Sequence, residues 1–169
     1  MDKEQVLLDE EFTQTAITEQ MEQQTPNVVH LATHGQFGST AEDTFLLTWE
    51  DKINVKELDQ LLRSRQFPGQ GGIDLLVLSA CQTAQGDERA LLGLAGVAIK
   101  SGARSTLGTL WTVRDESTAM FMTKLYGYLQ QPGITKAEAV RQAQLDLIAD
   151  ANFNEPLLWA PFVLVGNWL

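Results

Sequence analysis

The chain has 169 residues, one cysteine, two histidines and a formal net charge of −10. Its length and its ordinary apolar and charged fractions predict one globular domain. The 12 basic residues are scattered, which excludes the clustered Lys and Arg that direct binding of nucleic acid or an anionic membrane needs. No apolar run approaches the ~20 residues of a bilayer span.

The acidic start "MDKEQVLLDEEF" lacks the basic and apolar regions of a signal peptide. A single cysteine makes no internal disulfide, so a reducing, cytoplasmic setting is expected. Within that start, "VLLDEEF" reads as a short first strand. "TQTAITEQMEQQ" reads as a surface helix whose Ile17 and Met21 lie four apart. "TPNVVHLAT" is a buried strand, punctuated by Pro26 and Asn27 and then continuously apolar. "TFLLTW" predicts another strand. "NVKELDQLLRSR" predicts a helix capped by Asn54, with Val55, Leu58, Leu61 and Leu62 on one face.

"GGIDLLVLSA" is the strongest strand signal, and "ERALLGLAGVAIKSG" a largely buried helix ended near Gly102. "RSTLGTLW" is a further strand, and "DESTAMFMTKLYGYLQQ" an amphipathic helix stopped by Pro132 and Gly133. "TKAEAVRQAQLDLIAD" opens with Thr135 and Glu138 at the spacing of a capping box. "WAPFVLVGNW" is the last strand. Strands alternating with helices predict an α/β fold with a mostly parallel central sheet covered on both faces.

In such sheets ligands bind beyond the carboxyl ends of the strands. His34 and Cys81 both stand just past such ends, and the loop "TVRDE" after "RSTLGTLW" joins them there. An imidazole beside a thiol favours the nucleophilic thiolate and later protonates the leaving group. Gly35 follows the histidine, where backbone can approach a substrate closely. Its N–H and that of Cys81 are candidate oxyanion donors.

The motifs "HLATHGQF", "LVLSACQTAQGD", "GARSTLGTLW", "KAEAVRQAQ" and "WAPFVLVGNW" resemble, in order, those of CHAT domains, caspase-like domains often found behind tetratricopeptide repeats. The resemblance covers nearly the whole chain. His-Gly and Ser-Ala-Cys stand 47 residues apart, and caspases have a similar separation of about 50. Many CHAT domains carry glycine where this chain has Ala84; Gly86 follows two residues later.

The resemblance implies a caspase-like three-layer α/β/α sandwich and a cysteine endopeptidase with a Cys–His dyad. Cys81 would be the nucleophile, His34 its partner, and Gly35 and Cys81 the oxyanion hole. It further implies a protein or peptide substrate and a tetratricopeptide-repeat sensor region, upstream or on another chain. Residues 1–169 would then be a single domain forming the C-terminal part of a larger protein. A catalytically silent caspase-like interaction module is the alternative.

Ser79, two before the cysteine, occupies a position that related families often use for specificity. Asp43, Asp87 and Asp115 are candidates for the cleft rim, with Trp111 as a candidate lining residue. Acids at the rim suggest a preference for Arg or Lys before the scissile bond, against the plainer reading of a solvated acidic surface. Trp111, Trp159 and Trp168 are expected to pack the sheet. His30, about 13 Å from His34 along one strand, is expected to be a core histidine. One cysteine and two distant histidines do not supply a zinc shell, and neither metal nor cofactor is expected.

Overall fold

Leu76, Val77 and Leu78 have no exposed surface, which makes their strand the centre of packing. A computed structural model of the chain describes residues 5–24, 26–36, 43–63, 72–79 and 90–169. The main sheet holds four strands in the order β1 (Val28–Ala32), β5 (Leu75–Ser79), β6 (Ser105–Thr109) and β7 (Phe162–Gly166). The first three run parallel, and β7 is antiparallel to β6. A smaller antiparallel sheet holds β2 (Gly35–Gln36), β3 (Phe45–Leu47) and β4 (Lys52–Asn54). "TFLLTW" is therefore a strand, but of a hairpin beside the main sheet.

Alternate residues of the central strand serve opposite layers. Leu76 and Leu78 join a core with Ile17 and Met21 of α1 (Gln14–Gln24), Leu58, Leu61 and Leu62 of α2 (Val55–Arg63), and Ala98 of α3 (Ala90–Lys100). Leu75 and Val77 join Phe121 and Leu125 of α4 (Asp115–Leu129) and Ala143 and Leu147 of α5 (Lys136–Ala149). Helices on both faces make the predicted three-layer α/β/α sandwich of caspase-like type. Burying each large apolar side chain contributes about 1.5–3 kcal/mol relative to leaving it exposed.

Local chemistry sets the helix ends. Asn54 Oδ1 accepts from the N–H groups of Lys56 and Glu57, while Glu57 returns a bond to the Asn54 N–H at 2.8 Å. That is a complete capping box. The box expected at Thr135 is half made. Thr135 accepts from the Glu138 N–H at 3.1 Å, but the Glu138 carboxylate turns to Arg141 and Gln142. Those partners hold the carboxyl down at about 2.

"VLLDEEF" is not a strand: residues 5–8 have no regular structure and Asp9–Glu11 form a 3-10 turn. Three successive acids followed by Phe12 favour a turn packed back on α1 over a ladder. A short helix α6 (Pro156–Trp159) precedes β7, with Pro156 at its first turn where the missing N–H costs nothing. Trp168 is 57% exposed, so it does not pack the sheet as expected. Its backbone carbonyl instead accepts from the Ala137 N–H at 3.1 Å. Gly166 has φ +105, and a Cβ there would lie 2.5 Å from the Arg104 carbonyl oxygen.

At the other end of the strands from His34, Lys136 is 5% exposed. Its ammonium donates to both carboxylate oxygens of Asp74 at 3.0 and 3.1 Å. The pair ties the start of α5 to the start of β5. Among the described residues no helix is long and apolar enough to cross a membrane.

Candidate functional site

The last rung between β1 and β5 pairs Ala32 with Ser79. His34 stands two residues beyond Ala32, and Cys81 two residues beyond Ser79 in sequence. On the next strand, Leu78 pairs with Gly108, and Trp111 lies three residues beyond that glycine. Three sequence-distant loops thus start from neighbouring strand ends, as the α/β pattern predicts. Cys81 and Asp87 lie outside the described residues.

Directly after β1 the chain passes into the small sheet, which fixes the backbone at His34. The Thr33 hydroxyl donates to the Leu47 carbonyl at 2.8 Å. The Leu47 N–H donates to the His34 carbonyl at 2.7 Å. Gly35 is buried and pairs with Leu46. The His34 side chain itself is exposed. A rigid backbone with a solvent-facing imidazole suits a group that must meet substrate and exchange protons. Leu47 was not expected here, because its role runs through its backbone N–H and leaves no signal in side-chain identity.

Ser79 is half-buried, and its hydroxyl oxygen is buried without a hydrogen-bond partner. Trp111 is half-buried too, its indole N–H donating to the Leu157 carbonyl at 3.0 Å. The neighbouring Leu110 N–H donates to the Pro161 carbonyl at 3.0 Å. These bonds join the β6 loop to α6 and the start of β7. Asp115 is exposed at the first turn of α4, where a carboxylate complements the helix dipole. Asp43 is exposed in the turn before β3. Asp43 and Asp115, the two candidate rim acids among the described residues, are both exposed.

His30 is half-buried on β1 against α4, and belongs to neither of the two apolar cores. Its Nδ1 lies 2.9 Å from the Tyr126 hydroxyl of α4, and the two rings stand 5.8 Å apart at 42°. Burial lowers its pKa below the ordinary 6.5, because low-dielectric surroundings disfavour the imidazolium. Tyr126 lies 96 residues away in sequence, too far for local pattern to reveal the pair. Among the described residues no group of three His, Cys, Asp or Glu is placed to hold a metal ion.

No curated protein matches the chain significantly. The family model of the CHAT domain matches residues 1–167, essentially the whole chain, and its caspase-like character agrees with the sandwich and with the order of the strand ends. The chain belongs to the CHAT domain family.

Proposed function

We propose that the chain is a cysteine endopeptidase acting on a protein substrate through a Cys81–His34 dyad. The observation that supports this most is the β1–β5 register, which sets both residues two positions beyond one shared rung. The Cys81 thiolate attacks the scissile carbonyl carbon, with the oxyanion held by the N–H groups of Gly35 and Cys81. The His34 imidazolium gives its proton to the departing amine. Water, deprotonated by His34, then attacks the thioester, and the carboxylic acid leaves as the thiol re-forms.

The residue before the scissile bond is Arg or Lys in this reading, drawn by Asp43, Asp87 and Asp115, with Ser79 and Trp111 as candidate substrate contacts. Exposed acids discriminate only several-fold, because solvent screens them. In this reading the domain has little activity alone until a tetratricopeptide-repeat sensor region or partner engages it, in the cytoplasm. The test is trapping with a peptide-electrophile library, read by intact mass. Adducts that vanish in Cys81→Ala and favour basic peptides support the reading. Cuts after acidic or small apolar residues would overturn the specificity, and robust turnover by the isolated chain would overturn the regulation. A thiol that no electrophile reaches would favour a silent interaction module.

A further inference from the structure

The small sheet has two unlike faces. Gly35, Leu46 and Ile53 form one row across its three strands, and all three are buried. Side chains alternate along a strand, so the neighbouring rows turn to the opposite face. One step back from the Gly35–Leu46 rung, His34 lies opposite Leu47, and the Leu47 N–H donates to the His34 carbonyl at 2.7 Å. Leu47 in turn pairs with Lys52. His34, Leu47 and Lys52 thus make one row of the outer face, and all three are exposed, Leu47 by 40%. The next row on that face holds Gln36, Phe45 and Asn54, all half-buried. The Lys52 ammonium lies over the Phe45 ring, 4.7 Å from its centroid.

Directly opposite side chains on one face stand roughly 4.5–5.5 Å apart, and each further strand adds about 4.8 Å. The imidazole therefore has an apolar neighbour beside it and an ammonium one strand farther on. In the proposed reaction His34 hands its proton to the departing amine, so the chain on the leaving side of the scissile bond passes beside His34. An exposed leucine, with Phe45 two residues along the same strand, asks for an apolar side chain. An exposed ammonium asks for a carboxylate.

We propose that the outer face of the small sheet receives the leaving-side segment of the substrate. An apolar residue directly after the scissile bond lies against Leu47, and an acidic residue within the next two lies beside Lys52. Extended chain advances about 3.3 Å per residue, so two residues span the step from Leu47 to Lys52. The proposal rests on the Cys81–His34 reading and adds a preference on the other side of the scissile bond.

The experiment measures capture of Cys81 by peptides in which an internal enone replaces the scissile bond, with arginine or alanine before it. The thiolate adds to one alkene carbon, a proton goes to the other, and nothing leaves, so the adduct keeps both sides of the peptide. Rates are read by intact mass for three leaving sides: leucine-glycine-glutamate, glycine-glycine-glutamate and leucine-glycine-lysine. The first is expected to react at least about fivefold faster than the second, and about threefold faster than the third at low salt. Leu47→Ser removes the first advantage, and Lys52→Glu makes the lysine probe faster than its glutamate counterpart. Each readout is a ratio within one variant, so a general loss of reactivity does not move it. Equal rates for the three probes, or ratios unchanged in the variants, overturn this proposal and leave the dyad standing. Absence of capture by every probe overturns the dyad, and this proposal falls with it.

Discussion

Ala32 and Ser79 face each other on the last rung of the parallel β1–β5 pair. Each stands two residues before a residue of the proposed dyad, so backbone pairing fixes where the two segments leading to it leave the sheet. The hairpin then holds the chain at His34 through Thr33 and Leu47. Thr33→Val keeps the shape and removes only the hydroxyl bond. It should cost about 1 kcal/mol, read as a lower urea midpoint, and should lower peptide cleavage more than the stability loss explains.

Stability should fall in mild acid through His30. Its folded pKa lies below 6.5, so the unfolded chain takes up the proton more readily. The contribution is whole above the unfolded value and is lost as pH falls through 6.5 toward the folded pKa. Urea unfolding of wild type and His30→Phe across that range checks it. The variant should show a shallower decline, and parallel curves would contradict the account.

Removing either partner of the Lys136–Asp74 pair should not be equivalent. Asp74→Ala leaves a buried ammonium unpaired and should cost about 2–3 kcal/mol, discounted because the Asp74 side chain is 42% exposed. Lys136→Met leaves a solvated carboxylate and fills the same space, at under about 1 kcal/mol. Equal losses in thermal denaturation would mean that the pair is not the main interaction there.

Gly166→Ala combines a left-handed φ of +105 with a Cβ 2.5 Å from the Arg104 carbonyl. Backbone strain of this kind costs roughly 1–3 kcal/mol, and displacing β7 from β6 adds to it. A melting temperature unchanged from wild type would show that the edge strand shifts freely.

The main sheet was legible because its strands announce themselves. "LLVLS" is continuously apolar and lies between helical patterns, so its burial on both faces follows from composition alone. The positions of His34 and Ser79 at strand ends followed from the same runs. What stayed hidden depended on which of several nearby partners a side chain or backbone group takes. Asn54 is legible as a cap from its residue type, whereas the return bond from Glu57 depends on where its carboxylate turns. The Thr135–Glu138 box was half wrong because Arg141 and Gln142 compete for the carboxylate. Residue type alone puts Trp168 inside, yet the residue is mostly exposed and its backbone carbonyl accepts from the Ala137 N–H. "VLLDEEF" has strand-forming residues, but its acids end the run after three positions.

The most direct test of the dyad is alkylation of the only cysteine, because every event reports Cys81. Iodoacetamide labelling is measured against pH in wild type and in His34→Ala. A dyad partly ionises the thiol below the ordinary value of about 8.5, so wild type should react appreciably below pH 8 and the profile should move when the imidazole is removed. Cys81→Ala should abolish cleavage in the activated state with little loss of stability. The comparison is repeated with the activating partner bound, since catalytic geometry tightens on assembly. Identical profiles for wild type and His34→Ala in both states would contradict the Cys81–His34 dyad.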